Sequence, residues 1–411
     1  MSGAKASLIL AVVIWALGGC SFIKLSSDLE AIKKQYRLID GEVLSAEESS
    51  NTAPIVLVRY YQQGERHIAR MYERLPDNNQ FLVLLDSQPS YLIAIEDENR
   101  NGKYDKGERY GQYGEPTALT IDSPISDISI ELNQIEPLSS TFVTDVLSFG
   151  IAYLPARQVN QMGAVSNLSE LNIGLSGGKM GVWQPNKFLE TKPLGILQLQ
   201  PYSKDKTPVL FIHGMGGFPE QFSDFIDRLD RTRYQPWVYS YPSGMRLGLV
   251  SYHLNLLLGH LYEEYQFSEI DIVAHSMGGL VSKGALLRCG SSCPFSGVLT
   301  SIATPWSGHK SAKTGVAMAP LAVPSWFDMQ PESQFLKWLE LEKLPDSFKF
   351  NMAFAYRSKG LSRENNDGAV TLESQLAIHA QEDALDIRGF NETHTSILKS
   401  KEVYEWWVST H

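Results

Sequence analysis

The most constraining stretch of the chain is Ile270-Asp271-Ile272-Val273-Ala274-His275-Ser276-Met277-Gly278-Gly279. It begins as a short β-forming run and passes directly into a helix at Met277. A serine on such a junction stands on a sharp, strained turn, which tolerates only small residues two positions before and two after. Ala274 and Gly278 fill those places, and Gly279 lets the helix lie close to the sheet. The helix N-terminus brings the Met277 N–H and a positive dipole end beside anything the serine attacks.

The same period extends from Pro208 onward. Val209–Ile212, Trp237–Ser240, Ile270–Ala274 and Val298–Ala303 are apolar strand-like runs. Helical stretches separate them, Phe222–Leu229, Leu247–Tyr265 and the segment after Met277. Fully apolar strands alternating with helices predict a mostly parallel sheet covered on both faces, an α/β domain over 206–411.

The segment around Ser276 resembles the nucleophile elbow of α/β-hydrolase lipases and esterases, and the resemblance covers roughly Pro208 to His411. It implies Ser276 as nucleophile. Phe211-Ile212-His213-Gly214-Met215-Gly216-Gly217 resembles the His-Gly oxyanion loop of bacterial lipases, which assigns one donor to Met215 N–H and the other to Met277 N–H. Asn365-Asn366-Asp367-Gly368-Ala369-Val370 resembles the acid loop of lipases and implies Asp367, although Asn-Asp-Gly equally favours a plain Asx turn. The order nucleophile, acid, histidine of this fold then selects His394 as base. His213 precedes the nucleophile, His379 follows the acid closely, and His411 ends the sequence. Ala303-Thr304-Pro305-Trp306-Ser307-Gly308-His309 resembles a segment of lipases and PGAP1-like deacylases, with no catalytic role for His309.

Between about 306 and 345 the residues Met318, Leu321, Val323, Pro324, Trp326, Phe327 and Met329 suggest an apolar cap over an acyl-chain pocket. The competing reading is that they merely pack a cap helix. The expected substrate is an ester of a hydrophobic acyl group or a lipid. Thioester, amide and acyl-transfer chemistry use the same residues. No cofactor is needed for catalysis. The alternative is a catalytically silent binding or scaffold module, which the extra N-terminal domain and Ala274 in place of the usual glycine would suit.

At the other end, Lys5 precedes the apolar run Leu8–Leu17, too short for a membrane span. Leu17-Gly18-Gly19-Cys20 follows and resembles a bacterial lipobox. The resemblance implies a signal peptide over 1–19, diacylglycerol (palmitate-type chains) on the Cys20 thiol and cleavage before it; an uncleaved N-terminal anchor or an ordinary signal peptide is the alternative. Ser21 rather than Asp after the cysteine implies outer-membrane sorting in the cell envelope. Of the three cysteines, Cys289 and Cys293 remain. An oxidising compartment would let them form a small-loop disulfide, free thiols being the alternative.

The stretch 20–52 reads as a helix or tether. Over 53–136 short β-forming runs separated by Gly, Asn, Asp and Pro predict a small antiparallel β-sandwich. Within it Asp97–Glu108 matches D-x-N-x-N-G-x5-E. Asp97, Asn99, Asn101, Asp105, Glu108 and the Lys103 carbonyl suit calcium in a stabilising role, against an unmetallated hairpin. Residues 137–205 read as linker and lead-in. The net charge of −10 removes any general attraction to nucleic acid.

Overall fold

The structure is a computed structural model of the 411-residue chain. It describes residues 21–44, 53–75, 79–99, 104–123, 128–147, 163–290, 293–357 and 365–411. Cys20, Asn101 and Lys103, and the apolar run Leu8–Leu17, lie outside the described residues.

The described chain opens in helix α1, residues 21–35. Seven strands follow: β1 (Arg37–Leu44), β2 (Ile55–Gln63), β3 (Arg66–Arg74), β4 (Gln80–Leu85), β5 (Tyr91–Glu96), β6 (Tyr110–Tyr113) and β7 (Ile128–Glu131). They form two sheets, β4-β1-β7 and β3-β2-β5-β6. Alternate residues Ile39, Val43, Phe81, Val83, Ile128 and Ile130 of the first sheet meet Ile55, Leu57, Leu92 and Ala94 of the second in one core. This is the two-layer arrangement that period-2 burial requires. Two features differ from the sequence reading. β1 comes from the stretch read as tether, and it pairs parallel to β7. The parallel pairing arises because β1 is separated from β7 by the other five strands, so no hairpin constrains its direction.

The larger part is a seven-stranded sheet of order β14-β13-β12-β11-β9-β10-β8. Its members are β8 (Gly195–Gln198), β9 (Thr207–Ile212), β10 (Tyr234–Ser240), β11 (Asp271–His275), β12 (Gly297–Ile302), β13 (Phe348–Ala355) and β14 (Asp386–Phe390). Only β8 runs antiparallel. This is the α/β domain with a mostly parallel sheet expected over 206–411. Buried residues form one large cluster on each sheet face, as the all-apolar strands demand. The chain order reverses between β9 and β11. Such a switch point opens a crevice at the strands' C-terminal ends.

Helix α2 (Gly174–Trp183) and α3 (Pro185–Thr191) occupy the stretch read as linker. Glycine is a poor helix former, which hid α2 in the sequence. Its glycines have a packing reason. A Cβ on Gly178 would lie 2.3 Å from the Gly216 carbonyl oxygen, and one on Gly181 would lie 3.3 Å from Pro242 Cα. Helix α2 therefore presses backbone to backbone against the loop after β9. The remaining helices used below are α4 (Ser223–Arg228), α5 (Leu247–Tyr265), α6 (Met277–Cys289), α7 (Lys310–Met318), α8 (Pro324–Met329), α9 (Gln334–Leu341) and α10 (Lys401–Ser409). Tyr252 of α5 enters the core of the β-sandwich, with Leu249 and Leu256 against it, and so joins the two parts.

Candidate active site

Ser276 lies between β11 and α6 with φ 54° and ψ −129°. Such a backbone is strained for a residue with a side chain, and strain of this kind persists only where surroundings over-determine it. The Ser276 N–H donates to the Ile302 carbonyl (2.8 Å), and Gly279 N–H donates to the Ser276 carbonyl (3.0 Å). There is no room for a larger residue after the turn. A Cβ on Gly278 would meet the Ile212 and His213 carbonyl oxygens at 2.5 and 2.8 Å. Ala274, the departure from the usual glycine, is fully buried in the core and is accommodated there.

Ser276 Oγ and His394 Nε2 are 2.9 Å apart, and His394 Nδ1 is 2.6 Å from Asp367 Oδ2. With Asp367 ionised, Nδ1–H donates to the carboxylate, so Nε2 offers its lone pair to the serine hydroxyl. Asp367 is completely buried. Its other oxygen, Oδ1, accepts from Ala369 N–H (2.9 Å) and Val370 N–H (2.7 Å). This is the Asx-type turn foreseen as the competing reading of the motif. The turn and the pairing to His394 coexist because the carboxylate has two oxygens. The His394 N–H also donates to the Asp367 carbonyl (2.8 Å), which fixes the two loops together.

The loop after β9 folds over Ser276. Gly217 N–H donates to the Gly214 carbonyl (3.0 Å), and Gly216 N–H donates to Ser243 Oγ (2.9 Å). A Cβ on Gly214 would stand 2.7 Å from Ser276 Cβ. Met215 therefore follows a residue in direct apposition to Ser276. Met277 is the first residue of α6, where a helix leaves its N–H groups without intrahelical acceptors.

The other candidate histidines make contacts elsewhere than to the Ser276 hydroxyl. His213 stacks on Tyr241 at 4.3 Å between centroids, and the Tyr241 hydroxyl donates to the His213 carbonyl (2.5 Å). Burial pushes its pKa down to about 4, so it is neutral. His309 Nε2–H donates to the Ala369 carbonyl (2.9 Å) and so steadies the acid loop. His379 lies near Glu340, and His411 near Asp271.

Two supports went unread in the sequence. Ser243 holds the loop after β9, and His275 donates from Nε2 to the His394 carbonyl (2.7 Å). Neither has a local signal: the contact between His275 and His394 spans 119 positions.

Cys289 and Cys293 form a disulfide at the end of α6. In the Asp97–Glu108 loop, Glu108 accepts from Glu98 N–H (3.0 Å) and Asp105 N–H (2.7 Å), and Asn99 Nδ2 donates to Asp105 (2.7 Å). Among the described residues no group of three or more His, Cys, Asp or Glu is placed to hold a metal ion. No described helix is long and apolar enough to cross a membrane.

No family model matches the chain, and no curated protein matches it. Among solved structures it is similar to a Bacillus licheniformis lipase in mature form, at 16% identity and a TM-score of 0.44, covering 52% of this chain and 97% of that one. It is also similar to Aspergillus fumigatus lipase B, at 13% identity and a TM-score of 0.38, covering 53% and 56%.

Proposed function

We propose that the chain is a serine hydrolase of carboxylic esters, acting on hydrophobic acyl or lipid substrates. It is held in the bacterial cell envelope by a lipid on Cys20. The observation that carries the catalytic part is the continuous contact from Ser276 Oγ through the His394 ring to buried Asp367.

In this reading His394 Nε2 takes the hydroxyl proton as Ser276 Oγ attacks the ester carbonyl carbon. Asp367 holds the Nδ1–H tautomer and stabilises the imidazolium that forms. The negative charge on the former carbonyl oxygen is met by the Met215 and Met277 N–H groups. Collapse expels the alcohol, which takes the proton from His394, and leaves an acyl group on Ser276. Water, deprotonated by His394, then attacks the acyl-enzyme. The acid departs and Ser276 regains its proton.

The test uses the protein lacking residues 1–20, with p-nitrophenyl esters of rising chain length and a fluorophosphonate label, beside Ser276→Ala. Hydrolysis and labelling that both vanish in the variant support the reading. No turnover and no labelling of the unaltered protein would sink it and favour a silent binding module.

A further inference from the structure

Helix α1 does not hang away from the catalytic domain. Leu25 is completely buried, in a cluster with Val182 of α2 and Val323 of the cap, against which Met215 also packs. Phe22 meets Trp183 edge-on at 5.3 Å, and Trp183 meets Trp326 of α8 edge-on at 6.0 Å. Trp326 in turn lies under α7, where a Cβ on Gly315 would be 2.5 Å from its ring. A polar clamp fixes the direction of the helix. Asp28 accepts from Asn186 N–H (2.6 Å) and Lys187 N–H (3.1 Å) with its two oxygens, at the N-terminus of α3. A carboxylate is favoured there by the unpaired N–H groups and the dipole.

These contacts bound the distance between the anchor and the site. Four helical residues from Ser21 to Leu25 rise about 6 Å, and one further peptide adds about 4 Å. Chain length alone therefore keeps the Cys20 backbone within about 10 Å of Leu25, which packs in the same cluster as Met215. Both α1 and α7 carry an exposed apolar side chain. Ile23 is 71% exposed and Met318, one turn beyond Gly315, is 79% exposed. Lys24 of α1 and Lys313 of α7 are exposed as well. Apolar side chains flanked by lysines suit an interface with anionic headgroups.

We infer that α1 is a strap that sets the mouth of the Ser276 site against the bilayer carrying the Cys20 lipid, and that the ester substrate is an acyl lipid of that same leaflet. The inference rests on the ester-hydrolase reading and on the Cys20 anchor. The strap leaves the substrate's chain a short path from bilayer to nucleophile. A detached tether would let the mouth face any direction.

The geometry is tested with the full, membrane-anchored chain in vesicles of phosphatidylethanolamine and phosphatidylglycerol containing a lipid-borne quencher. Ile23→Cys, Met318→Cys and Leu385→Cys would each carry a thiol-attached fluorophore. Leu385 is 70% exposed and precedes β14, an edge strand of the large sheet. Labels at 23 and 318 are expected to be quenched severalfold more than at 385. Equal quenching at 318 and 385, or a chain that stays off the vesicles, overturns the strap.

The substrate class is tested by inserting a long flexible Gly-Ser spacer between Cys20 and Ser21. Turnover of vesicle phospholipid should fall about tenfold as the effective concentration drops, with hydrolysis of a water-soluble short-chain ester retained. Undiminished turnover of vesicle lipid overturns the same-leaflet substrate. If the unaltered protein hydrolyses no soluble ester, the ester-hydrolase reading has failed, and the same-leaflet substrate falls with it. The quenching pattern still decides the strap.

Discussion

His275 Nε2 donates to the carbonyl oxygen of His394 at 2.7 Å, with the two rings 4.7 Å apart. The residue before Ser276 thus holds the backbone of His394. Burial, with a smaller contribution from His394, pushes the His275 pKa down to about 3. It therefore acts as a neutral donor near neutral pH. Replacing it with alanine leaves a carbonyl short of a partner, a cost of about 1–3 kcal/mol. His275→Ala is expected to lower kcat about tenfold to a hundredfold with little change in KM. His275→Gln, which keeps an N–H donor, should recover part of the loss. An equal rise in KM without a fall in kcat would refute a positioning role.

Asp367 offers a sharper test, because its two oxygens do different jobs. Oδ1 closes the turn over Ala369 and Val370, and Oδ2 faces His394. Asp367→Asn can keep the turn through its amide oxygen while presenting an amide nitrogen to Nδ1. That nitrogen favours the wrong imidazole tautomer, which costs on the order of 10⁴ in kcat in such a triad. The expected result is a near-unchanged melting temperature with that loss in ester turnover. A loss of less than tenfold would show that the carboxylate does not orient the base.

Gly214 is the position where a single methyl group should block the site without touching the three central residues. Its Cβ would lie 2.7 Å from Ser276 Cβ and 3.2 Å from Ser276 Oγ. Gly214→Ala must move the loop or the nucleophile by a few tenths of an ångström or more. Misplacing an oxyanion donor costs about a hundredfold or more in kcat. Stopped turnover with parallel loss of fluorophosphonate labelling is the expected outcome. Full activity would mean the loop yields without consequence.

What the sequence conveys depends on how local the signal is. The strand run into Ser276, with Ala274 and Gly278 around it, declares a strained turn within a few residues. The alternation from Pro208 onward carries the sheet in the same way. Helix α2 was unreadable because its glycines lower helix propensity, and their use appears only against Gly216 and Pro242. β1 was missed because its partners, β4 and β7, are far along the chain. Ser243 and His275 act through contacts that no short window contains. Propensity is a weak prior wherever tertiary packing decides.

The Cys289–Cys293 disulfide closes a loop with a sequence separation of only 4. In the chain-entropy account so short a loop stabilises by about 2 kcal/mol. Both sulfurs pack at the edge of the large core cluster, at the far end of α6 from Ser276. Replacing both cysteines with alanine is expected to lower the melting temperature by about 5 °C. Ester kcat/KM at room temperature should be unchanged. A fall in kcat/KM at constant stability would show that the end of α6 communicates with the nucleophile.

Asp271 begins the strand that ends at His275, and its pKa is pushed up to about 7, chiefly by burial. Val298 N–H (3.2 Å) and Arg233 work against that, and Glu269 adds to it. His411, 3.9 Å away, is pushed down to about 4 by burial. Between those values the folded pair is a neutral acid beside a neutral imidazole. From pH 3.8 to 7 the folded Asp271 keeps a proton that the unfolded one has lost. Its contribution to stability is therefore full below 3.8 and declines as pH rises through the folded value, by up to about 1.36 kcal/mol per unit. His411 acts oppositely from about 4 to 6.5, where the unfolded chain holds the extra proton. The two slopes offset each other in the unaltered protein. Asp271→Asn keeps an acceptor for Val298 N–H but cannot ionise. The melting temperature of the variant should match the unaltered protein near pH 4 and exceed it increasingly up to pH 7, then by a constant margin. A difference independent of pH would mean that Asp271 is ionised throughout the range.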